Sequence, residues 1–151
     1  MYLIEPEVSG GTGPATVQDV SVHPPTIERL EFEFTLWFGD ELIEGFTCYL
    51  VSDRVRQAIE SAQLTGVRFA DVEITVDEQT LLFEPEFRER LPIWWWFQPS
   101  RVHGNDFYWS DAFRLFASPA GYEALQAGTL DHARVRWLDT PPDDEPPVAG
   151  S

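Results

Sequence analysis

The residues of this chain that could carry chemistry are three histidines, one cysteine and 26 acidic residues. His23 precedes two prolines, which predicts a loop, and His132 lies in the turn before the last predicted strand. Neither has a Cys, an Asp or a second His at the spacing of a metal-binding motif, so we expect no metal site. Cys48 lies inside a predicted buried strand, where a thiol behaves as a small hydrophobic group. A nucleophile-elbow serine and a phosphate-binding loop are also missing, so the sequence predicts neither catalytic residues nor a cofactor.

Residues 91–109 form the most unusual segment, because they contain LPIWWWFQP and, further on, HGNDFYW. As a strand, this segment places Trp94 and Trp96 on one face and Trp95 and Phe97 on the other. Either the strand is covered on both faces and belongs to the core, or one face carries exposed indoles. Exposed indoles rimmed by acids would have the composition of a protein-binding site.

We expect partner contacts to come from this segment and from the first predicted strand. The candidates are aromatic, acidic or imidazole side chains: Trp94, Trp96, His103, Asp106, Tyr108, Trp109, Glu31 and Glu33. The alternative is a small enzyme with His103, Asp106 and Asp111 around a pocket beneath the Trp strand. A perturbed acid–base group in a deep pocket would favour the enzyme, whereas a flat acidic face would favour an inhibitor of another protein.

The formal net charge of −16 indicates which partners to expect. An acidic surface repels phosphate backbones and anionic lipid and attracts basic proteins, so we expect neither a nucleic-acid nor a membrane partner. The charge could equally serve only to keep the protein soluble. A single Cys, the lack of a signal peptide in residues 1–7 and the lack of a long apolar segment predict a cytoplasmic location.

The predicted elements give an α+β fold. Residues 30–38 alternate apolar side chains with Glu31, Glu33, Thr35 and Trp37, which predicts a strand with one apolar and one acidic face. A turn at Gly39 and Asp40 separates it from a second strand, residues 46–51, whose apolar character predicts a central place in the sheet. These two strands form the expected N-terminal antiparallel pair. The glycine-rich residues 5–16 are predicted to be a loop.

A strand–helix–strand unit is predicted twice. Ser52 caps a helix that Thr65 and Gly66 end, and residues 67–76 return as a strand. A shift of 66 residues places Ser118 on Ser52, and the second unit repeats the cap, the helix, the stop and the returning strand. Such a helix can connect parallel or next-but-one strands. We therefore predict a mixed β-sheet with two short helices in one domain, residues 1–139, and a disordered acidic, Pro-rich tail, residues 140–151.

The chain resembles small bacterial immunity proteins of polymorphic toxin systems, in particular the double-CXXCG and DUF1629-like group. The resemblance covers roughly residues 46–138 and is carried by the segments LTGV, residues 64–67, and DAFRL, residues 111–115. The CXXCG pairs of that group are absent, so no metal site follows from it. The resemblance implies a non-enzymatic protein that binds and blocks a cognate toxin, and the negative charge suggests that this toxin is basic. A non-enzymatic adaptor protein of another pathway would have the same sequence features.

Overall fold

The structure is a computed structural model that describes residues 1–19, 21, 26–46 and 48–139. The predicted tail and His23 lie outside these ranges. The described residues form an α+β fold with the following elements: β1 (Tyr2–Glu5), β2 (Glu7–Val8), β3 (Gly10–Thr12), β4 (Val17–Asp19), β5 (Thr26–Arg29), β6 (Glu31–Phe34), β7 (Leu42–Glu44), β8 (Tyr49–Ser52), α1 (Asp53–Ser61), β9 (Val67–Ala70), β10 (Glu73–Val76), α2 (Glu78–Phe83), α3 (Phe87–Arg90), β11 (Trp94–Pro99), β12 (Phe107–Trp109), β13 (Leu115–Ala117), α4 (Pro119–Leu125) and β14 (Arg134–Trp137).

Two of the sheets share one arrangement of strands. One has the order β2-β7-β8-β11-β9 and the other the order β12-β13-β1-β14. In each sheet a strand from elsewhere in the chain, β11 or β1, lies antiparallel between the two strands of a strand–helix–strand unit. The strands of each unit therefore run parallel to each other, and each helix connects next-but-one strands. This confirms the repeated unit predicted from the sequence.

The repeat extends further towards the N-terminus than the sequence indicated. Strand β7 pairs antiparallel with β8, and β12 pairs antiparallel with β13, so each unit begins with a strand that precedes the predicted one. The remaining strands form a three-stranded sheet, β10-β6-β3, and the pair β4-β5.

Both repeated helices begin at the predicted serine caps. The Ser52 hydroxyl accepts a hydrogen bond from the Val55 amide at 3.4 Å, and the Ser118 hydroxyl accepts one from the Gly121 amide at 3.0 Å. Each bond satisfies an amide that has no partner within the helix. Pro119 occupies the first turn of α4, where its missing N–H leaves no bond unmade.

Strand β11, which contains the tryptophan run, is covered on both faces. Trp94 and Trp96 belong to one core cluster and Phe97 belongs to another, which Trp95 borders. The neighbouring strand β8, third of five in its sheet, divides its side chains between the same two clusters. The second predicted strand is therefore central, as expected. Helices α1 and α4 contact each other, and the buried apolar side chains of both, Val55, Ile59, Ala124 and Leu125, belong to the cluster around Phe97.

The first predicted strand is shorter than expected and has different neighbours. Strand β6 ends at Phe34, because the amides of Thr35 and Leu36 both donate to the Ser9 carbonyl and turn the chain away. Strand β6 pairs with β3 and β10 in the three-stranded sheet, rather than with β8. The N-terminal half contains the expected antiparallel pair, but β7 and β8 form it.

Two further segments differ from the expectation. The predicted strand of residues 67–76 is divided between β9 and β10, which lie in different sheets. The glycine-rich residues predicted to be a loop contain β2 and β3. A Cβ on Gly10 would lie 1.9 Å from the Glu33 carbonyl oxygen, so glycine is needed here for close strand approach.

None of the helices in the described ranges is both long and apolar enough to cross a membrane.

Candidate functional site

Two surface cavities lie near Phe38, a phenylalanine that is 65% exposed. The first cavity has a volume of about 390 Å³, and His132 forms part of its wall. The second has a volume of about 440 Å³, and Phe38 itself lines it. The Phe38 and His132 ring centroids are 5.5 Å apart, so a residue that lines one cavity contacts a residue that lines the other. We call the first cavity the Glu44 cleft and the second the Phe38–Phe83 groove.

The groove lies between the loop of residues 35–40 and helix α2. Two hydrogen bonds attach this loop to its neighbours. The Phe38 amide donates to Glu7 Oε1 at 2.8 Å, which holds the backbone that carries the exposed ring. The Thr80 hydroxyl donates to the Thr35 carbonyl at 2.8 Å, which attaches α2 to the loop. These hydrogen bonds restrict the loop, and preorganisation of this kind lowers the cost of binding at a surface.

Helix α2 leaves its apolar residues unusually exposed. Asp77 caps the helix by accepting from the amides of Gln79 and Thr80, yet none of the six helical residues is buried. Leu82 is 79% exposed and Phe83, which lines the groove, is 90% exposed. Large apolar side chains clustered on a surface indicate a site of interaction with another molecule.

The groove is also acidic. Asp77 and Glu84 line it, and Glu78 lies in the first turn of α2. Arg90 also lines the groove and is paired with Glu84 at 2.9 Å. A partner that fits the apolar residues would therefore bring basic side chains to this rim.

The Glu44 cleft brings together ionisable groups of both signs. Burial, and to a smaller extent the charge of Glu5, raise the pKa of Glu44 to about 7. Burial also raises the pKa of Tyr49, which lines the same cleft. Arg114 and Arg134 complete the polar part of the wall. A carboxyl group with a pKa near neutrality can both donate and accept protons.

A cluster of two carboxylates and one imidazole lies where His132 lines the Glu44 cleft and contacts Phe38. His132 Nδ1 is 2.9 Å from Asp40 Oδ1 and 3.5 Å from Glu7 Oε2. The hydrogen bond to Asp40 raises the pKa of His132, partial burial opposes this, and the charges of Asp40 and Glu7 add to the rise. The ligand atoms of the three residues lie within 4.8 Å of one another, which is close enough to hold a metal ion.

Four of the predicted partner-contact residues, Trp94, Trp96, Tyr108 and Glu31, are buried in the folded chain. Trp94 and Trp96 pack in the core beside β8, and Tyr108 packs against Leu3 and Phe116. Glu31 lies under residues 13–16, and its carboxylate accepts from the Ala15 amide at 3.3 Å.

The other predicted residues lie on separate elements of the fold. Glu33 belongs to β6, in a different sheet from Trp109 in β12. His103 is exposed and bonds to the Tyr108 hydroxyl at 3.0 Å, and Trp109 is half-buried against Phe113.

Asp106 has a structural role. Its carboxylate accepts from the Thr65 amide and hydroxyl and from the Ser118 hydroxyl. Partial burial raises the pKa of Asp106, but these hydrogen bonds lower it more, so the net pKa is below the usual value. The carboxylate is therefore engaged in connecting α1 to α4.

The three residues of the alternative enzyme site are also separately engaged. Asp106 serves the helix ends, Asp111 pairs with Arg101 at 3.0 Å, and His103 contacts Tyr108. None of the three lines the Glu44 cleft or the Phe38–Phe83 groove.

Phe38, Leu82 and Phe83 are not among the functional residues predicted from the sequence. Phe38 was the last apolar residue of a predicted strand, so its exposure depended on where that strand ended. Leu81, Leu82 and Phe83 are consecutive in a helix, and successive helical side chains point about 100° apart, so they could not all face one core. Three consecutive large apolar residues in a predicted helix therefore indicate that at least one of them is exposed.

Comparison with known proteins finds no family model, no curated protein and no solved structure that matches this chain.

Proposed function

We propose that this chain is a non-enzymatic binding protein that engages a basic protein domain through the Phe38–Phe83 groove. The proposed partner is the cognate toxin of a polymorphic toxin system, and the chain is its cytoplasmic immunity protein. The observation that carries the proposal is the exposure of Leu82 and Phe83 on a helix with no buried residue, beside an acidic rim.

The charges of the two sides complement each other in this proposal. A net charge of −16 attracts a basic domain over distances of about 8 Å at physiological ionic strength. Phe38 and Phe83 would then supply the desolvated aromatic contacts that hold the complex. A toxin that acts on a nucleic acid or a nucleotide carries basic residues at its active site. The carboxylates around the groove would occupy that site in place of phosphate.

The experiment is a comparison of binding kinetics between matched phenylalanine variants. The binding partner is the product of the gene immediately upstream, measured against the full chain on a sensor surface. Phe83→Ala should raise the dissociation rate about tenfold, because it removes an exposed aromatic contact of the groove. Phe46→Ala is the control, since Phe46 is 87% exposed and lines neither cavity.

Equal effects of the two substitutions would place the interface elsewhere and contradict the groove. Failure of the upstream product to bind, together with its harmlessness in cells that lack this chain, would contradict the immunity function. Binding to a different basic protein through Phe83 would favour a non-enzymatic adaptor protein of another pathway.

A second candidate function is a small enzyme that uses the Glu44 cleft, and the pKa of Glu44 is the observation that favours it. Glu44 would serve as the acid–base group, with Arg114 and Arg134 binding an anionic substrate. Glu44→Gln should then abolish turnover of a small molecule found in a metabolite screen, while Phe83→Ala leaves it unchanged. Loss of toxin binding only in Phe83→Ala would favour the inhibitor.

A further inference from the structure

The three chain segments around residues 7, 40 and 132 meet in one cluster of oxygen and nitrogen donors. Glu7 comes from β2, Asp40 from the loop before β7, and His132 from the turn before β14. Asp40 and His132 are 92 positions apart in sequence, so no local motif links them.

Glu7 has a carboxylate oxygen that the protein itself leaves unsatisfied. Its residue is only 7% exposed, and Oε2 accepts no hydrogen bond from the described residues. The other oxygen, Oε1, accepts from the Ser9 hydroxyl and from the Phe38 amide, which fixes the orientation of the carboxylate. Oε2 consequently points into the cluster, 3.5 Å from His132 Nδ1. A buried carboxylate oxygen without a hydrogen-bond donor has lost its hydration without full replacement, so a bound cation at this position would stabilise it.

Two of the distances between the donor atoms match those of a coordination sphere. Ligand atoms that bind one metal at about 2.0 to 2.2 Å lie about 3.0 to 3.5 Å from each other in tetrahedral or octahedral geometry. His132 Nδ1 lies 2.9 Å from Asp40 Oδ1 and 3.5 Å from Glu7 Oε2, and all three atoms lie within 4.8 Å. Small side-chain movements would bring the three atoms around a common ion.

Asp40 is already held in the orientation that a ligand needs. Its Oδ1 accepts from the Asp131 amide at 3.0 Å, and its Oδ2 accepts from the His132 amide at 2.8 Å. Backbone donors of this kind orient ligating carboxylates in metal sites. The same two bonds also place the His132 ring beside Asp40.

We propose that Glu7, Asp40 and His132 bind a divalent transition-metal ion, of the class of Zn²⁺ or Mn²⁺. One imidazole nitrogen with two carboxylates suits such ions better than Ca²⁺ or Mg²⁺, which prefer oxygen ligands alone. The ion takes the place of the proton that His132 Nδ1 shares with Asp40, and it neutralises two buried carboxylates. Three protein ligands leave at least one coordination position for water or for a ligand, and His132 borders the Glu44 cleft.

The first test is calorimetric titration of the full-length, metal-free protein with ZnCl₂ and, separately, with MnCl₂. An excess of Mg²⁺ in the buffer occupies weak sites among the surface carboxylates. The wild-type chain should bind one ion of at least one of the two metals, and its melting temperature should rise. A wild-type chain without a saturable site for either metal would overturn the proposal.

Matched variants assign the site. Glu7→Gln keeps an oxygen for the Ser9 hydroxyl and the Phe38 amide but loses a charged ligand, and His132→Gln loses the nitrogen. Each should weaken metal binding at least about tenfold. Glu33→Gln and His103→Gln are the controls, because neither residue belongs to the cluster, and they should bind as the wild type does. Unchanged affinity in both cluster variants would overturn the proposal.

A measurement on the wild-type chain covers the case in which a cluster variant does not fold. The chain has three histidines, His23, His103 and His132, whose side-chain nitrogens can be followed by NMR with ¹⁵N-labelled histidine. Zn²⁺ should shift the resonances of His132 and leave those of the other two in place. A shift confined to His23 or His103 would overturn the proposal.

Discussion

Glu41 and Asp106 occupy equivalent positions in the two repeated units, each just before the first strand of its unit. The Glu41 carboxylate accepts a hydrogen bond from the hydroxyl of Ser52 at 2.8 Å, and the Asp106 carboxylate accepts one from Ser118 at 2.7 Å. In both units the serine amide also donates to the backbone carbonyl of the acidic residue. Each helix cap is therefore attached to the strand that begins its own unit.

The same two carboxylates join the units to each other. Glu41, in the first unit, accepts from the Thr129 amide in the turn after the helix of the second unit, at 2.7 Å. Asp106, in the second unit, accepts from the Thr65 amide in the turn after the helix of the first, at 2.8 Å. These reciprocal contacts make the interface between α1 and α4 dependent on both acids.

The two cap serines should contribute similarly to stability. Ser52→Ala and Ser118→Ala should each lower the free energy of unfolding by about 1 kcal/mol, because each removes the acceptor for a helix amide. Urea denaturation measures both, with the exposed Ser61→Ala as the control. If one substitution is silent and the other costly, the units are not structurally equivalent.

Asp106 should matter for folding rather than for partner binding. Asp106→Ala should cost about 2 kcal/mol, because it leaves the Thr65 amide and the Ser118 hydroxyl without their acceptor. Asp111→Ala, which removes a fully exposed carboxylate paired with Arg101, should change stability by no more than about 0.5 kcal/mol. Equal stabilities in thermal unfolding of the two variants would show that the Asp106 contacts contribute nothing.

Tyr108 was expected on the binding surface, but its burial predicts a different effect. Tyr108→Ala should destabilise the fold by about 3 kcal/mol, because it leaves a cavity beside Leu3 and Phe116. The dissociation rate of the remaining folded protein from its partner should stay unchanged. A stable Tyr108→Ala variant with faster dissociation would restore this residue to the interface.

Glu44 should make stability fall as the pH rises. Its pKa is about 7 in the folded chain and about 4.5 as the usual value, so the folded state binds the proton more tightly. The stability from this proton is complete below about pH 4.5 and is lost as the pH rises through about 7.

Glu44→Gln tests this dependence directly. At pH 8 the variant should be more stable than the wild type by about 1 kcal/mol, a value reduced because solvent screens the half-buried group. At pH 4 the difference should vanish. Denaturation at both pH values measures it, and an equal difference at each would show that Glu44 titrates normally. Glu5, Arg114 and Arg134 line the same cleft and are present in both proteins, so the comparison isolates Glu44.

Salt should act mainly on the association of the proposed complex. The −16 charge attracts a basic partner during encounter, and added salt screens that attraction, so the association rate should fall steeply. The dissociation rate should change much less, because short-range contacts of Phe38 and Phe83 control it. Stopped-flow kinetics at several salt concentrations separates the two, and a salt-independent association rate would contradict electrostatic steering.

The repeated unit could be predicted from the sequence because each of its signals is local. A serine cap, an apolar helical stripe and a stop at Gly66 or Gly128 all act within a few residues, and the chain meets these preferences wherever the unit lies. The central position of β8 could be predicted as well, since a strand buried on both faces must be apolar throughout.

Tertiary packing determines where the strands end and whether both faces of β11 are covered. Whether Trp94 and Trp96 are core or surface depends on which elements cover each face of the sheet, and both possibilities have the same alternation. The exposure of Phe38 likewise depends on Ser9, whose carbonyl turns the chain after Phe34.

The candidate sites show most clearly what could not be predicted from the sequence. By itself, the sequence determined the acidic charge, the α+β class and the repeated unit, which are properties of composition or of short windows. Only the folded chain brings His132 to Asp40 and Glu7 and places Phe38 beside Phe83. Contacts between residues distant in sequence depend on how the sheets pack together, and that packing energy is shared among many side chains rather than recorded in any one segment.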